Sequence, residues 1–172
     1  DMASVTKVST GLPVLMKLYG EGLIDIDKPL HSYIPNLKRS NKKDITLRKV
    51  LAHQARLEPY IVFWQEALRK NGKYRTRSFK TKFSRNFPIR ITDNLYLHKK
   101  YKNKINKAVK KSQLKNETEY LYSGLIFLLM PDMIKELTGK EFEQLLYDKI
   151  YSPIGASALR YNPLQHFDLS RI

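Results

Sequence analysis

The sequence contains no cysteine. This absence excludes disulfide bonds, thiol catalysis and zinc or iron–sulfur sites with cysteine ligands. No apolar run approaches the ~18 residues that a membrane-spanning helix needs, and the first residues lack the basic start and apolar block of a signal peptide. The four histidines show no metal-ligand spacing such as His-Glu-x-x-His. We therefore expect no metal site and no cofactor.

Acidic residues are scarce in one part of the chain. The 172 residues include 32 Lys and Arg against 16 Asp and Glu, which gives a net charge of +16. Between 65 and 115 there are 17 basic residues and only two acidic ones, Glu66 and Asp93, so this stretch holds +15 of the total. The remainder is almost neutral. The sequence therefore predicts a near-neutral domain that carries a basic insertion at about 65–115.

The basic insertion alternates cations with aromatic residues, as in KYRTRSFKTKF. This pattern suits anionic polymers of a cell envelope, or lipid headgroups. Nucleic acid is a less favoured partner, because no nucleic-acid-binding signature accompanies the charge. The plainer alternative is a solvated, lysine-rich insertion whose aromatic residues pack on the domain.

The spacing of apolar residues predicts a mainly helical chain with a few short extended pieces. Helices are expected over 4–22, 44–53, 59–70, 103–114, 118–139 and 140–155. The first helix would bury five apolar residues, namely Val8, Leu12, Leu15, Met16 and Tyr19. Pro13 lies inside it and should cause a kink or a local rearrangement.

Ser4 and Lys7 stand three residues apart at the start of the first expected helix, in the tetrapeptide SVTK. Residues at this spacing share a helix face, so the Lys7 amine can reach the Ser4 hydroxyl and act as its base. The helix start adds free N–H groups that can stabilise an oxyanion. The alternative is that Ser4 only caps the helix, because Ser-x-x-Lys also occurs by chance.

Four ordered blocks resemble the serine β-lactamase and penicillin-binding-protein-like family, in particular its class C β-lactamase-related serine hydrolases. The blocks are MASVTKVSTGLPVLMKLYGEGLIDIDKPLHSYIPNL, DITLRKVLAHQARL, YLYSGLIFLL and LTGKEFEQLLYDKIYSPIGASALRYNPL. The resemblance implies that Ser4 is the nucleophile and Lys7 its base. Tyr122 matches the tyrosine of the family's Tyr-x-Asn motif, which relays the serine proton and later activates water.

The remaining family motifs are altered. Gly124 takes the place of the asparagine that orients the lysine or the substrate, so it is expected to line the substrate site without contributing an amide. His53, in VLAHQARL, falls where the family has a stretch bordering the substrate cleft. It is either a substrate-binding residue or a structural histidine. The third family motif, Lys or His-x-Gly, has no counterpart.

The resemblance implies an α+β fold of the β-lactamase/transpeptidase type. Residues 1–172 would form a single partial domain that covers mainly the helical part and lacks the C-terminal sheet strands. Truncation is the favoured explanation and degeneracy the other, because a half sheet with exposed edges is unstable alone.

The implied activity is hydrolysis through an acyl-enzyme, outside the cell or in the periplasm. The substrate would be an amide or ester: a peptidoglycan-type peptide, a β-lactam or a small ester. The alternative is a non-catalytic module that binds envelope peptides or polyanions.

Overall fold

The computed structural model describes residues 2–116, 119–161, 163 and 166–171. Within them the α-helices are Leu12–Gly20 (α1), Leu47–Leu51 (α2), Phe63–Ala67 (α3), Tyr101–Lys111 (α4), Met130–Thr138 (α5) and Phe142–Leu146 (α6). Two π-helical segments, Lys7–Gly11 and Tyr147–Tyr151, adjoin α1 and α6. Short 3₁₀ turns cover Leu30–Ser32, Pro35–Arg39, Ile126–Leu128 and Leu169–Arg171. The strands are Phe79–Lys80 (β1), Ile89–Thr92 (β2) and Leu95–Leu97 (β3).

The α-helix α1 buries a different face from the expected one. Leu15 is buried as expected, but Val8, Met16 and Tyr19 are more than half exposed. The residues that enter the core are Val14, Leu15 and Leu18. Apolar residues occupy both faces of this helix, so their spacing fits either orientation. The tertiary contacts decide which face is covered, because the segment Tyr147–Tyr151 and the rest of the core pack against the helix.

A local rearrangement accompanies Pro13, as one of the two expected outcomes. The π-helical segment ends just before it, with the N–H of Leu12 donating to the carbonyl of Lys7 five residues back. Pro13 has no N–H to donate to the carbonyl of Ser9. The hydroxyl of Tyr151 donates to that carbonyl instead, at 3.0 Å. This bond ties the π-helical segment Lys7–Gly11 to the segment Tyr147–Tyr151.

One apolar core joins α1, α5 and α6 to the 3₁₀ turns and to Val109 of α4. Thr46 caps α2, its side chain accepting a hydrogen bond from the N–H of Lys49. No helix of the described residues is long and apolar enough to cross a bilayer.

The basic insertion folds as α3, an antiparallel sheet in the order β1-β3-β2, and α4. The helix expected over 59–70 is confined to α3, and α4 begins at Tyr101, slightly before the expected start. Val109 and Tyr101 are buried, and the hydroxyl of Tyr101 donates to the carbonyl of Phe63 at 2.9 Å. Part of the insertion's aromatic content therefore packs on the domain.

Lys42 fastens the end of α4 to the core. Its side chain is fully buried, and its ammonium donates to the carbonyl of Ser112 at 2.5 Å and to Asn41 Oδ1 at 2.8 Å. Burial lowers the pKa of Lys42 to about 8, although the nearby Glu58 carboxylate opposes the shift. The buried amine and the side-chain amide of Asn41, which donates to the same carbonyl at 3.2 Å, thus both satisfy the carbonyl of Ser112 at the end of α4.

The helix expected over 118–139 is wrong in its first part. Residues 119–124 are extended or irregular, a 3₁₀ turn covers Ile126–Leu128, and α5 begins only at Met130. Pro131 lies in the first turn of α5, where its missing N–H has no helical partner to lose. Gly139, with φ of +70°, ends α5 in the left-handed conformation that glycine adopts without strain.

Candidate active site

Ser4 sits on a tight turn at the entry to the first helix. Ala3 before it has φ of +45°, an uncommon conformation for a residue with a side chain, and Ser4 itself is exposed. The N–H groups of the three residues after Ser4 donate to carbonyls three residues back, at 3.0 to 3.2 Å. They are not the free donors expected from the sequence. The N–H of Ser4 has no acceptor among the described residues.

The side chain of Lys7 reaches back to Ser4. Its Nζ donates to Ser4 Oγ at 3.0 Å, as the three-residue spacing predicts. The same Nζ lies 5.3 Å from the ring centre of Tyr122 and 5.9 Å from that of Phe127. Such cation–ring contacts attract the ammonium to the electron-rich ring faces. Sequence reasoning missed Phe127, because FLL looks like the middle of a helix.

Tyr122 completes the cluster from a distant part of the chain. Hydrogen bonds from the Ser4 hydroxyl and the Lys7 ammonium lower the pKa of the Tyr122 phenol below its usual value. The phenolate form is therefore easier to reach than in an isolated tyrosine. Tyr122 is 39% exposed, so the fold covers it only in part.

The backbone on both sides of Tyr122 is pinned by the segment 53–59. The N–H of Leu121 donates to the carbonyl of His53 at 2.7 Å, and the N–H of Gly124 donates to that of Pro59 at 3.2 Å. The hydroxyl of Ser123 donates to the carbonyl of Glu58 at 2.6 Å. These bonds hold 121–124 in an extended path, which is why this stretch does not continue as a helix.

His53 lies behind Tyr122. Its backbone is left-handed, with φ of +54°, and its ring centre is 4.4 Å from that of Tyr122. The N–H of Ser123 donates to His53 Nδ1 at 3.2 Å, so that nitrogen carries no proton. Burial and the nearby charge of Lys7 lower the pKa of His53, which favours the neutral ring that this bond requires. The geometry makes His53 a support for Tyr122.

Gly124 lies directly against Lys7. A Cβ atom placed at Gly124 would be 3.1 Å from Lys7 Cε and 3.5 Å from its Nζ. The first distance is shorter than ordinary van der Waals contact. Lys7 therefore occupies space that a side chain at 124 would need, and the rings of Tyr122 and Phe127 flank its ammonium.

A cavity of about 400 Å³ opens beside Lys7. Its lining is mostly apolar and includes Gly124, Phe63, Phe127 and Met130, and Lys7 is the charged residue among the described lining residues. Neither His53 nor Tyr122 lines it. Within the part of the chain that the structure describes, no three His, Asp or Glu side chains converge as a metal ion would require. The cavity can hold an uncharged or anionic group next to the cluster of Ser4, Lys7 and Tyr122.

Known proteins resemble this chain in sequence over almost its whole length. The N-acetylmuramyl-L-alanine amidase of Bacillus subtilis is 25% identical over 96% of this chain and 34% of its own length. The teichoic acid D-alanine hydrolase of Staphylococcus aureus is 28% identical over 89% of this chain and 30% of its own. The chain thus spans about a third of the length of these relatives.

Solved structures share the fold. FmtA from Staphylococcus aureus superposes with a TM-score of 0.55 and 24% identity, covering 88% of this chain and 34% of that one. A D-stereospecific amidohydrolase from Streptomyces gives a TM-score of 0.59 at 20% identity, over 88% and 41% of the two chains. The expected β-lactamase-like α+β fold is confirmed. The pattern of the Beta-lactamase family matches residues 1–169, and the chain belongs to that family.

Proposed function

We propose that the chain provides the nucleophile and proton-transfer groups of a serine hydrolase that works through an acyl-enzyme. Ser4 is the nucleophile, and either Lys7 or the phenolate of Tyr122 accepts its proton. The observation that carries the proposal is the 3.0 Å contact between Lys7 Nζ and Ser4 Oγ. It is supported by the position of Tyr122, whose ring centre lies 5.3 Å from Lys7 Nζ and whose phenol has its pKa lowered by Ser4 and Lys7.

In the first step the Ser4 oxygen attacks the carbonyl carbon of an amide or ester, and its proton passes to the Tyr122 phenolate or to neutral Lys7. The oxyanion that forms can accept a hydrogen bond from the N–H of Ser4, which donates to no acceptor among the described residues. The same proton then goes to the leaving amine or alcohol. Water, activated by the phenolate, releases the acyl group and restores Ser4.

The substrate class is an amide or ester of the cell envelope, with a β-lactam or a small ester as the other acyl donors. The relatives' names support this class, since they describe an amidase, a hydrolase of teichoic acid D-alanine and a D-stereospecific amidohydrolase. The proposed location is accordingly extracellular or periplasmic. We further propose that residues 1–172 form one partial domain of the family, with the insertion at about 65–115.

The test is covalent labelling of the folded chain. A fluorophosphonate should add one phosphonyl group, as Ser4 displaces fluoride, and a penicillin should add its whole mass as the lactam ring opens. Intact mass spectrometry and peptide mapping locate the adduct, which we expect on Ser4 and not in Ser4→Ala. Ser9→Ala is a matched control in the same helix and should label normally. An unlabelled folded chain would favour a non-catalytic module, for which Gly124 in place of the family's asparagine is the supporting observation.

Gly124→Ala should slow phosphonylation because the added Cβ lies 3.1 Å from Lys7 Cε and must push the amine from Ser4. A displacement of a few tenths of an ångström is expected to cost about tenfold in the second-order rate constant. Gly20→Ala is the control, since a Cβ there meets no atom within 4 Å. Equal phosphonylation rates in Gly124→Ala and Gly20→Ala would show that Lys7 accommodates the added Cβ and keeps its position beside Ser4.

A further inference from the structure

The cavity beside Lys7 is lined mostly by rings and aliphatic side chains. Five of its described lining residues are aromatic and come from four separate parts of the chain, namely Tyr60, Phe63, Phe127, Phe142 and Tyr161. Its volume is about 400 Å³. For comparison, an apolar cavity of about 150 Å³ in a protein interior is enough to bind benzene. The space is therefore large enough for a phenyl ring and the atoms that join it to a reacting carbonyl.

The cavity offers few polar partners to a bound group. Besides Lys7, its polar side chains are the hydroxyls of Thr6, Thr10 and two of the tyrosines. Thr10 Oγ1 already donates to the carbonyl of Thr6 at 2.6 Å. Neither Asp nor Glu occurs among the described lining residues. A charged or hydroxyl-rich group would therefore give up water here without gaining equivalent hydrogen bonds, so the lining favours an apolar occupant.

A charged acyl group of either sign conflicts with the role proposed for Lys7. An ammonium, such as that of an aminoacyl ester, would be repelled by the Lys7 ammonium, and no carboxylate of the described lining would compensate. An anion would attract the Lys7 ammonium and stabilise the protonated form, which cannot accept the proton of Ser4. An uncharged acyl group leaves the amine where it is, 3.0 Å from Ser4 Oγ.

Ala3 and Lys7 place the cavity next to Ser4. Both residues line it, and Ser4 follows Ala3 directly in the chain. Tyr122 does not line it. The leaving amine or alcohol must meet a group that returns the serine proton, and the phenol of Tyr122 is such a group outside the cavity. With the leaving group on the side of Tyr122, the acyl group is the substituent of the carbonyl that reaches the cavity.

We propose that this cavity, which we call the acyl cavity, binds a compact, uncharged acyl group, aromatic or branched aliphatic, of the ester or amide that Ser4 attacks. The inference rests on the proposed function and narrows its substrate class. Esters with a very small acyl group should react more slowly because they leave the rings without contact. Esters with a cationic acyl group should also react more slowly, because they bring a second positive charge next to Lys7.

The test compares acylation of Ser4 by four p-nitrophenyl esters. Phenylacetate and acetate differ in the ring, and 3,3-dimethylbutanoate and trimethylammonioacetate have the same shape but differ in charge. In each case Ser4 Oγ bonds to the acyl carbon, the Ser4 proton passes to Lys7 or to the Tyr122 phenolate, and p-nitrophenolate leaves with the bonding electrons and is measured by absorbance. Each second-order rate constant is divided by that for hydroxide, which removes differences in intrinsic reactivity. The apolar member of each pair should react about tenfold faster or more.

Phe63→Ala should lower the preference for phenylacetate over acetate about fivefold, because it removes one ring from the lining of the acyl cavity. Trp64→Ala is the matched control. Trp64 is the next residue of α3, is mostly exposed and does not line the cavity, so the preference should stay as in the wild type. Equal losses of preference in the two variants would mean that the ring of Phe63 does not contact the acyl group.

Leu128→Glu should place a carboxylate at the acyl cavity, with Leu128→Gln as the uncharged variant of the same size. Leu128 lines the cavity and is partly exposed, so either side chain can stay hydrated in the unbound protein. The preference for dimethylbutanoate over trimethylammonioacetate should be about tenfold lower in Leu128→Glu than in Leu128→Gln. Because the two esters meet the same Ser4 and Lys7 in each variant, any effect on Lys7 itself cancels in this ratio.

Binding without reaction separates this proposal from the proposed function. N-methylphenylacetamide carries the phenylacetyl group on an unreactive amide and should bind to folded Ser4→Ala, as measured by chemical shifts, and more weakly after Phe63→Ala is added. Binding of this amide without acylation of Ser4 by any ester or fluorophosphonate would overturn the proposed function. Equal acylation rates for phenylacetate and acetate, or faster reaction of trimethylammonioacetate than of dimethylbutanoate, would overturn the acyl cavity. Thermal melting of each variant verifies folding.

Discussion

Replacing Lys7 with methionine should slow phosphonylation of Ser4 about a thousandfold, within the range that a positioned general base contributes. Methionine keeps the length and apolar contacts of the side chain but removes the amine that lies 3.0 Å from Ser4 Oγ. It also removes the charge that helps to lower the pKa of Tyr122, so both proton acceptors are weakened by one change. The second-order rate constant is read from the time course of the intact-mass adduct.

Lys7→Arg separates the two contributions of the amine. Arginine retains the positive charge but stays protonated at accessible pH, so it cannot accept the serine proton. If Lys7 acts as a base, phosphonylation of Ser4 should be nearly as slow in Lys7→Arg as in Lys7→Met. If Lys7→Arg labelled at the normal rate, Lys7 would serve only as a charge and Tyr122 alone would be the base. Lys17→Met, an exposed change in α1, is the control and should leave the rate unchanged.

The contact between Ser4 and Lys7 could be predicted because it is local. Three residues of helix bring the two side chains together whatever the rest of the chain does. Tyr122 is 118 positions from Ser4, and its place beside them followed only from the family resemblance. No local pattern distinguishes it from the other tyrosines of the chain.

The extended backbone around Tyr122 could not be predicted either, because the residues that hold it are distant in the sequence. The run YLYSGLIFLL is apolar enough for a helix, yet 121–124 is held extended by bonds to His53 and Pro59. Those partners lie more than 60 residues away. Helix propensity is a weak preference that such long-range bonds override. The short strands of the insertion were not predicted either, since two to four residues are too few to show an alternation of apolar and polar residues.

The effect of glycine at position 124 becomes clear only from the tertiary structure. In the sequence it is the loss of an amide. In the fold it is the space into which Lys7 extends, with the ring centre of Phe127 5.9 Å from the ammonium. The cation is positioned by rings and by the absence of a side chain, so a departure from the family pattern is compatible with an intact Ser4 and Lys7 pair.

Tyr122→Phe should slow phosphonylation of Ser4 about a hundredfold and should remove most of its pH dependence. The pKa of Tyr122 lies below the usual value of about 10 for tyrosine, because Ser4 and Lys7 hydrogen-bond to the phenolate. As the pH rises through that lowered pKa the phenolate fraction grows, so the wild-type rate should rise with a midpoint below that of an ordinary tyrosine. Phenylalanine keeps the ring contact with His53 but has no group to titrate.

The matched control is Tyr120→Phe. Tyr120 is 66% exposed and its ring centre lies 5.7 Å from that of the same His53, so the change removes a hydroxyl near His53 and not the phenol of Tyr122. Its rate and pH profile should equal those of the wild type. A rise in rate at the same pH in Tyr122→Phe would assign the titrating group to another side chain. Loss of that rise in Tyr122→Phe alone would assign it to the phenol, since neither variant alters the charge of Lys7.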